Sequence, residues 1–295
     1  MLDLQRHVVH GGEIPEPLRH IFKSQGAFHP GRIRDSFRQN LNTHLHLRKL
    51  HTRKPGPPAL VLTRVKFLPF LLLPLLASCV PSVTRDESIA TAYRYTRIAW
   101  TPGENNVRHG PDAKGIMVHT PDQTIVKFGD RRGWWQPGVL AIGMPYQWGG
   151  FDTPESFLAK VAAGKKAGDV GDAAKRKLGD AGTSAESCGI DCSGFVSRCW
   201  KLSRPYSTRE LHEICDPLNS WDELLPGDCL LNDKHVLLFV KWAVPGKELL
   251  GYQAGPFPKW KVSSCGLTRE KLVQEGYAPW RYRGIVGKQH SPEFS

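Results

Sequence analysis

The sequence predicts an α+β fold with a mostly antiparallel sheet, preceded by a small β-rich region. Helical patterns come first, over 86–98, after Thr153-Pro154 and over 191–202. A run of strand-like segments with short connections then fills the chain from Cys229 onward. The composition of the 295 residues, 40% hydrophobic and 23% charged, is that of a globular chain able to bury a core. Its 29 Gly and 23 Pro follow no period, which excludes a collagen-like chain. No apolar run approaches the roughly 20 residues of a spanning helix, which excludes a polytopic membrane protein.

The elements follow in order. Residues 1–64 hold 7 of the 12 His and a charge of +7 out of the total +12. They lack a sustained hydrophobic period and read as a disordered extension, or as sequence upstream of a true start near Leu62 or Val65. Arg64 and Lys66 flank an apolar run of 11 residues, Phe67 to Ala77, followed by Ser78 and Cys79. These are the parts of a secretory signal over 65–78. Leu76-Ala77-Ser78-Cys79 resembles a bacterial lipobox, which implies a lipid on Cys79 and a mature chain that starts there. That mature chain would carry only +4, so the basic balance is no argument for a nucleic-acid partner.

Residues 79–135 read as a tether with a helix over 86–98, then turns separating the strand-like runs Gly115–His119 and Thr124–Phe128. The larger region, 136–295, opens with Tyr146-Gln147-Trp148-Gly149-Gly150. An insertion over 151–190 follows. Its Thr153-Pro154 starts a helix, and its Gly-, Ala-, Lys- and Asp-rich part reads as mobile, with a short helix over 173–178. Ser207 and Glu210 form a capping box, and Leu225-Pro226-Gly227-Asp228 is a turn. Strands are predicted over 229–232, 235–242, 249–254, 259–263 and 280–285, with a helix near 268–274.

The chemistry sits in Gly189-Ile190-Asp191-Cys192-Ser193-Gly194-Phe195-Val196. Cys192 would begin a helix, where free N–H groups and the dipole favour a thiolate and offer oxyanion donors. Val196, Cys199 and Trp200 continue an apolar face that fixes this helix in the core. A thiol nucleophile needs a base, and His235, at the head of an apolar strand, is the candidate. A hairpin at Pro245-Gly246 brings Gln253 back toward Leu237–Phe239 as the group that orients the base. The bland readings are a core cysteine, a strand-end histidine and an ordinary strand glutamine. Cys188, Cys215, Cys229 and Cys265 are free to pair in an oxidising compartment, in three possible ways. His212 and Cys215 form too small a set for a metal site.

The blocks Tyr146–Gly150, Asp191–Val196, Leu225–Asp228 and His235-Val236, in that order, resemble the NlpC/P60 family of cell-wall cysteine peptidases over roughly 136–285. The resemblance implies a papain-like fold and a Cys192, His235 and Gln253 triad. It also implies that Tyr146, Asp191 and Ser193 hold a peptidoglycan stem peptide. No cofactor or metal would be needed, and the protein would be a monomeric lipoprotein of the cell envelope, held to a membrane through Cys79. The insertion over 151–190 and the long hairpin before Gln253 depart from the family pattern. The rival readings are a papain-like amidase or acyltransferase on another substrate, and a wall-binding lipoprotein without activity.

Overall fold

The computed structural model describes residues 81–125, 132–255 and 259–287. Residues 1–64, the signal-like run 65–78 and Cys79 lie outside the described residues, as does 126–128 of the run Thr124–Phe128. Among the described residues, no helix is long and apolar enough to cross a membrane. They belong to one compact unit, 72–295.

Strand β1 (Val83–Thr84) runs directly into helix α1 (Arg85–Thr96). Thr84 and Glu87 start α1 with a reciprocal capping box, Glu87 N–H to Thr84 Oγ1 at 3.1 Å and Thr84 N–H to Glu87 Oε2 at 2.9 Å. The region that follows holds β2 (Ala99–Trp100), an antiparallel pair β3 (His109–Pro111) and β4 (Met117–His119), and β5 (Ala141–Ile142), which pairs with β2. Helix α1 is not a free tether. Its Tyr95 ring meets Phe195 edge-on at 5.8 Å, and the Tyr95 hydroxyl donates to the Asp152 carbonyl at 3.0 Å.

Helix α2 (Pro154–Ala162) has Pro at its first position and a Thr153 cap, as expected. The rest of the insertion holds β6 (Lys166–Ala167), α3 (Ala173–Leu178) and β7 (Ser187–Cys188). It is fastened rather than loose: β6 pairs with β7 in parallel, and the Lys175 ammonium is buried against the Asp169 carboxylate. Its Gly and Lys content suggested mobility because composition does not reveal which lysine is paired.

Helix α4 (Cys192–Cys199) ends three residues before the predicted Leu202. Helix α5 (Leu211–Ile214) follows the Ser207–Glu210 box and leads to β8 (Cys215–Pro217), a strand with no clear sequence signal. Next come β9 (Cys229–Leu231), β10 (Val236–Val244), β11 (Glu248–Gly255) and β12 (Lys261–Thr268), the last of which extends well past the predicted 259–263. Helix α6 (Arg269–Gln274), β13 (Ala278–Tyr282) and β14 (Ile285–Val286) complete the chain. The main sheet has six strands in the order β12-β11-β10-β9-β13-β8, every neighbouring pair antiparallel.

The unbroken apolar start of β10 has a simple cause: this strand is buried on both faces. Val236 and Leu238 join the core that holds Phe195, Val196 and Cys199 of α4. Leu237 and Phe239 face a second core, with Trp221, Leu249 and Leu272. The six described cysteines, Cys188, Cys192, Cys199, Cys215, Cys229 and Cys265, are all buried and free, so no disulfide joins the four that could pair.

The Leu225–Asp228 turn is a structural clamp. Asp228 is fully buried and accepts from Arg85 at 2.9 Å and from Arg281 at 2.7 Å and 3.0 Å. Its Oδ2 also accepts the Leu225 N–H at 2.8 Å. One carboxylate thus ties α1, the turn and β13 together. Such a buried ion is retained only when opposite charge and hydrogen bonds replace its lost water.

Candidate active site

The site is assembled where the Tyr146–Gly150 segment, the N-terminus of α4 and the head of β10 meet. Backbone bonds hold the first two together: Gln147 N–H to Ile190 O at 3.1 Å, and Asp191 N–H to Gly150 O at 3.1 Å. Gly194 lies so close that a Cβ there would collide with the Gly150 carbonyl oxygen. This close approach is what the small residue after Ser193 permits.

Asp191 is the N-cap of α4. Its Oδ1 accepts the Gly194 N–H at 2.6 Å and the Ser193 hydroxyl at 3.0 Å, while Oδ2 accepts the Gly149 N–H at 3.1 Å. Burial pushes this carboxyl up to about 6, against the pull of those donors. Two expectations change here. The Gly194 N–H is engaged by Asp191, so it is not a free oxyanion donor. The Ser193 hydroxyl is likewise turned onto Asp191.

Cys192 opens α4 and is only 7% exposed. The backbone N–H groups of Val236, Ser193 and Cys192 lie around its thiol and favour its anion, so the thiol stands near the residue that follows His235. The expected thiolate is not the resting form. Burial, reinforced by the Asp191 charge, pushes the Cys192 thiol up to about 12 and outweighs the N–H donors around it.

His235 is half-buried, and its Nε2 lies 2.9 Å from Gln253 Oε1. A carbonyl acceptor places the proton on Nε2 and leaves the Nδ1 lone pair free to take another. Burial lowers the imidazole below its usual pKa, opposed by the Gln253 bond. The β10–β11 register explains how Gln253 gets there: Leu238 pairs with Tyr252, so the next residue along β11 lies toward the His235 end of β10. Asn232 sets the entry to the strand, its Oδ1 accepting the His235 N–H at 2.8 Å. Gly255 leaves room for the ring, since a Cβ there would stand 3.0 Å from His235 Cε1.

Tyr146 is half-buried beside Cys192 and Asp191, and burial together with those two groups raises its phenol well above the ordinary value. It therefore stays a hydrogen-bond donor at any physiological pH. Trp148 serves the insertion: its Nε1–H donates to Gly179 O at 3.3 Å. Sequence reasoning missed Tyr277, whose ring meets His235 edge-on at 6.4 Å and whose phenol feels the Cys192 thiol. Tyr277 follows α6, and nothing in its local sequence connects it to a residue 42 positions earlier. Among the described residues, no group of His, Cys, Asp and Glu could hold a metal ion.

No protein-family model matches the chain, and comparisons with curated proteins and with solved structures give no match.

Proposed function

We propose that this chain is a papain-like cysteine hydrolase of the NlpC/P60 kind, cleaving an amide bond in peptidoglycan stem peptides. The bond would be the one between a γ-D-glutamyl residue and a diamino acid. The observation that supports catalysis is the ordered series Cys192, His235 and Gln253. The Val236 N–H influences the Cys192 thiol, and the imidazole of the preceding residue lies 2.9 Å from Gln253 Oε1.

In this reading His235 Nδ1 takes the thiol proton as Cys192 Sγ attacks the carbonyl carbon. The oxyanion is met by the Cys192 N–H and the Tyr146 hydroxyl, two donors near the thiol. The tetrahedral intermediate collapses, the C–N bond breaks, and the amine leaves with the proton from His235. Water, deprotonated by His235, then hydrolyses the thioester and restores the thiol. Because thiol and imidazole both rest neutral, proton transfer accompanies attack rather than preceding it. A lipid on Cys79 and an envelope location belong to the same proposal. Digestion of purified muropeptides, followed by mass spectrometry, tests it. Wild type should release new amino termini, and Cys192→Ala should lose at least about 10⁴-fold in rate. No new termini from wild type would exclude the peptidase reading.

A further inference from the structure

We propose that the tip formed by residues 138–142 and the end of α1 is a docking surface for an anionic phospholipid bilayer. Leu140 and Ile142 enter the bilayer, and Arg97 and Lys261 meet its headgroups. The proposal goes beyond the hydrolase reading and rests neither on it nor on a lipid at Cys79. It starts from a stretch without charge: from Gly133 to Phe151 no residue is acidic or basic. Within it, β5 pairs with β2, Ala141 beside Trp100 and Ile142 beside Ala99. Residues directly opposite in such a ribbon share a face. Trp100 and Ala141 take the buried face, and Ala99 and Ile142 the open one. Leu140, two positions before Ile142, is 63% exposed, and Val139 beside it is 47% exposed. Single exposed apolar residues are ordinary, but here three fall within four positions. The ribbon that carries them is tied down, Gly138 N–H to Pro102 O at 2.8 Å and Gly143 N–H to Ile98 O at 2.7 Å.

The segments bonded to this tip bring cations. Arg97 caps the end of α1, two positions before Ala99, and is exposed. Lys261 Nζ donates to Ile142 O at 3.0 Å and stands 4.3 Å from the centre of the Trp134 ring. Among the described residues neither cation has an acidic partner. Residues 95–103 and 260–262 contain no Asp or Glu, and Glu104 is the first acid after them. Tyr93, one helical turn before Arg97, is exposed, and Trp134 is partly so. Such aromatic side chains favour the boundary between water and lipid. A stable protein interface takes about 800 Å² from each partner, more than three side chains on a two-stranded tip supply. A fluid bilayer accepts a small tip, its acyl boundary receiving apolar side chains and its anionic headgroups the cations. Tyr146 follows Ile142 by four residues, so a docked tip keeps the candidate site within about 14 Å of the headgroups.

The test uses the full chain with Cys79→Ser, to which no lipid can be attached. A nitrobenzoxadiazole dye is placed on Leu140→Cys or, as the control, on Val273→Cys. The native cysteines described are buried, and peptide mapping confirms that the dye is on the introduced thiol. Val273 is exposed on α6, whose Leu272 belongs to the second core rather than to the one that holds Trp100 and Ala141. The dye reports its own surroundings, so a vesicle captured by another part of the chain leaves it unchanged. With vesicles of phosphatidylglycerol and phosphatidylcholine, emission at position 140 should rise about threefold as the tip enters the headgroup–acyl boundary, and emission at 273 should stay constant. No rise at 140, or an equal rise at both positions, would overturn the proposal. Read with the dye at 140, Arg97→Gln should raise the lipid concentration at half-saturation about fivefold at low ionic strength. Phosphatidylcholine alone should give a much smaller rise. A response to it equal to that of the anionic vesicles, or an Arg97→Gln variant that binds them unchanged, would remove the charge complementarity and overturn the proposal as well. Muropeptide digestion is a separate readout, so either reading can fail while the other stands.

Discussion

The neighbourhoods of Asp228 and Cys192 bury polar chemistry in the same compact unit by opposite means. At Asp228 two guanidinium groups, from Arg85 and Arg281, are paired with a fully buried carboxylate. Around Cys192 the bonds to thiol, imidazole and the Asp191 carboxylate come from neutral donors and acceptors: backbone N–H groups, the Ser193 hydroxyl and the Gln253 amide. The thiol and imidazole consequently rest uncharged, and Asp191 titrates near 6 rather than near 4. One region spends its charges on holding the fold. The other keeps its thiol and imidazole neutral.

The largest effect that can break this comparison is in the pH dependence of Cys192 alkylation. A thiol held at about 12 should react about tenfold faster per pH unit from pH 7 to pH 11, with no plateau. A plateau beginning below pH 8 would mean a resting thiolate. His235 must be neutral to act as base, and its pKa is lowered. The acid limb of kcat/KM should therefore lie below pH 6.5, with activity gained as pH rises through it. The same depressed pKa makes the unfolded chain bind the extra proton, so the stability that neutral His235 contributes is lost as pH falls below 6.5.

The next effect is in stability. Asp228→Ala leaves Arg85 buried without its partner and should cost about 3–5 kcal/mol by urea unfolding. A loss under 1 kcal/mol would show that the two arginines are satisfied without it. Gln253→Glu imports an anion into the neutral region. It should raise the His235 pKa by about one to two units and move the acid limb upward by the same amount. An unmoved limb would mean that the group at position 253 does not act on the His235 imidazole. Smallest is Asp191→Asn, which keeps the cap and removes the charge; its cost at pH 5 should be about 1 kcal/mol or less. The raised carboxyl makes wild type lose stability as pH climbs from about 4 to 6, since its folded state holds the proton longer. The Asp191→Asn variant lacks that slope, so chemical denaturation should show it gaining on wild type over that interval.

Local signals were legible where a residue and its partner are close in sequence. The helices after Thr153-Pro154 and at Cys192 start where expected, and α1 starts at Arg85, one residue before the predicted Asp86; in each the cap and its partner lie three positions apart. The Leu225–Asp228 turn was equally visible, but its purpose was not, because Arg85 and Arg281 lie 143 and 53 residues away. The state of Cys192 was misread for a related reason. The helix end that favours a thiolate is a local feature, whereas the burial that opposes it comes from the surrounding fold. Strand β8 escaped because three residues, Cys215 to Pro217, carry no alternation to read. Gln253 was placed correctly by the hairpin, although only the paired register settles its reach to His235.

The pairing of β1 with β14 has a mechanical meaning. Val83 stands beside Ile285, and Tyr282 donates its hydroxyl to Pro81 O at 2.7 Å, so the two ends of the described chain share one seam. Tension arriving from the N-terminal side loads that seam first, and then the Arg85 to Asp228 link. From α1 it can pass toward α4 through the packing of Tyr95 on Phe195 and the ion pair of Glu87 with Lys201. A pull from upstream would thus be met by a strand pair and a buried ion pair as well as by the helix that carries Cys192.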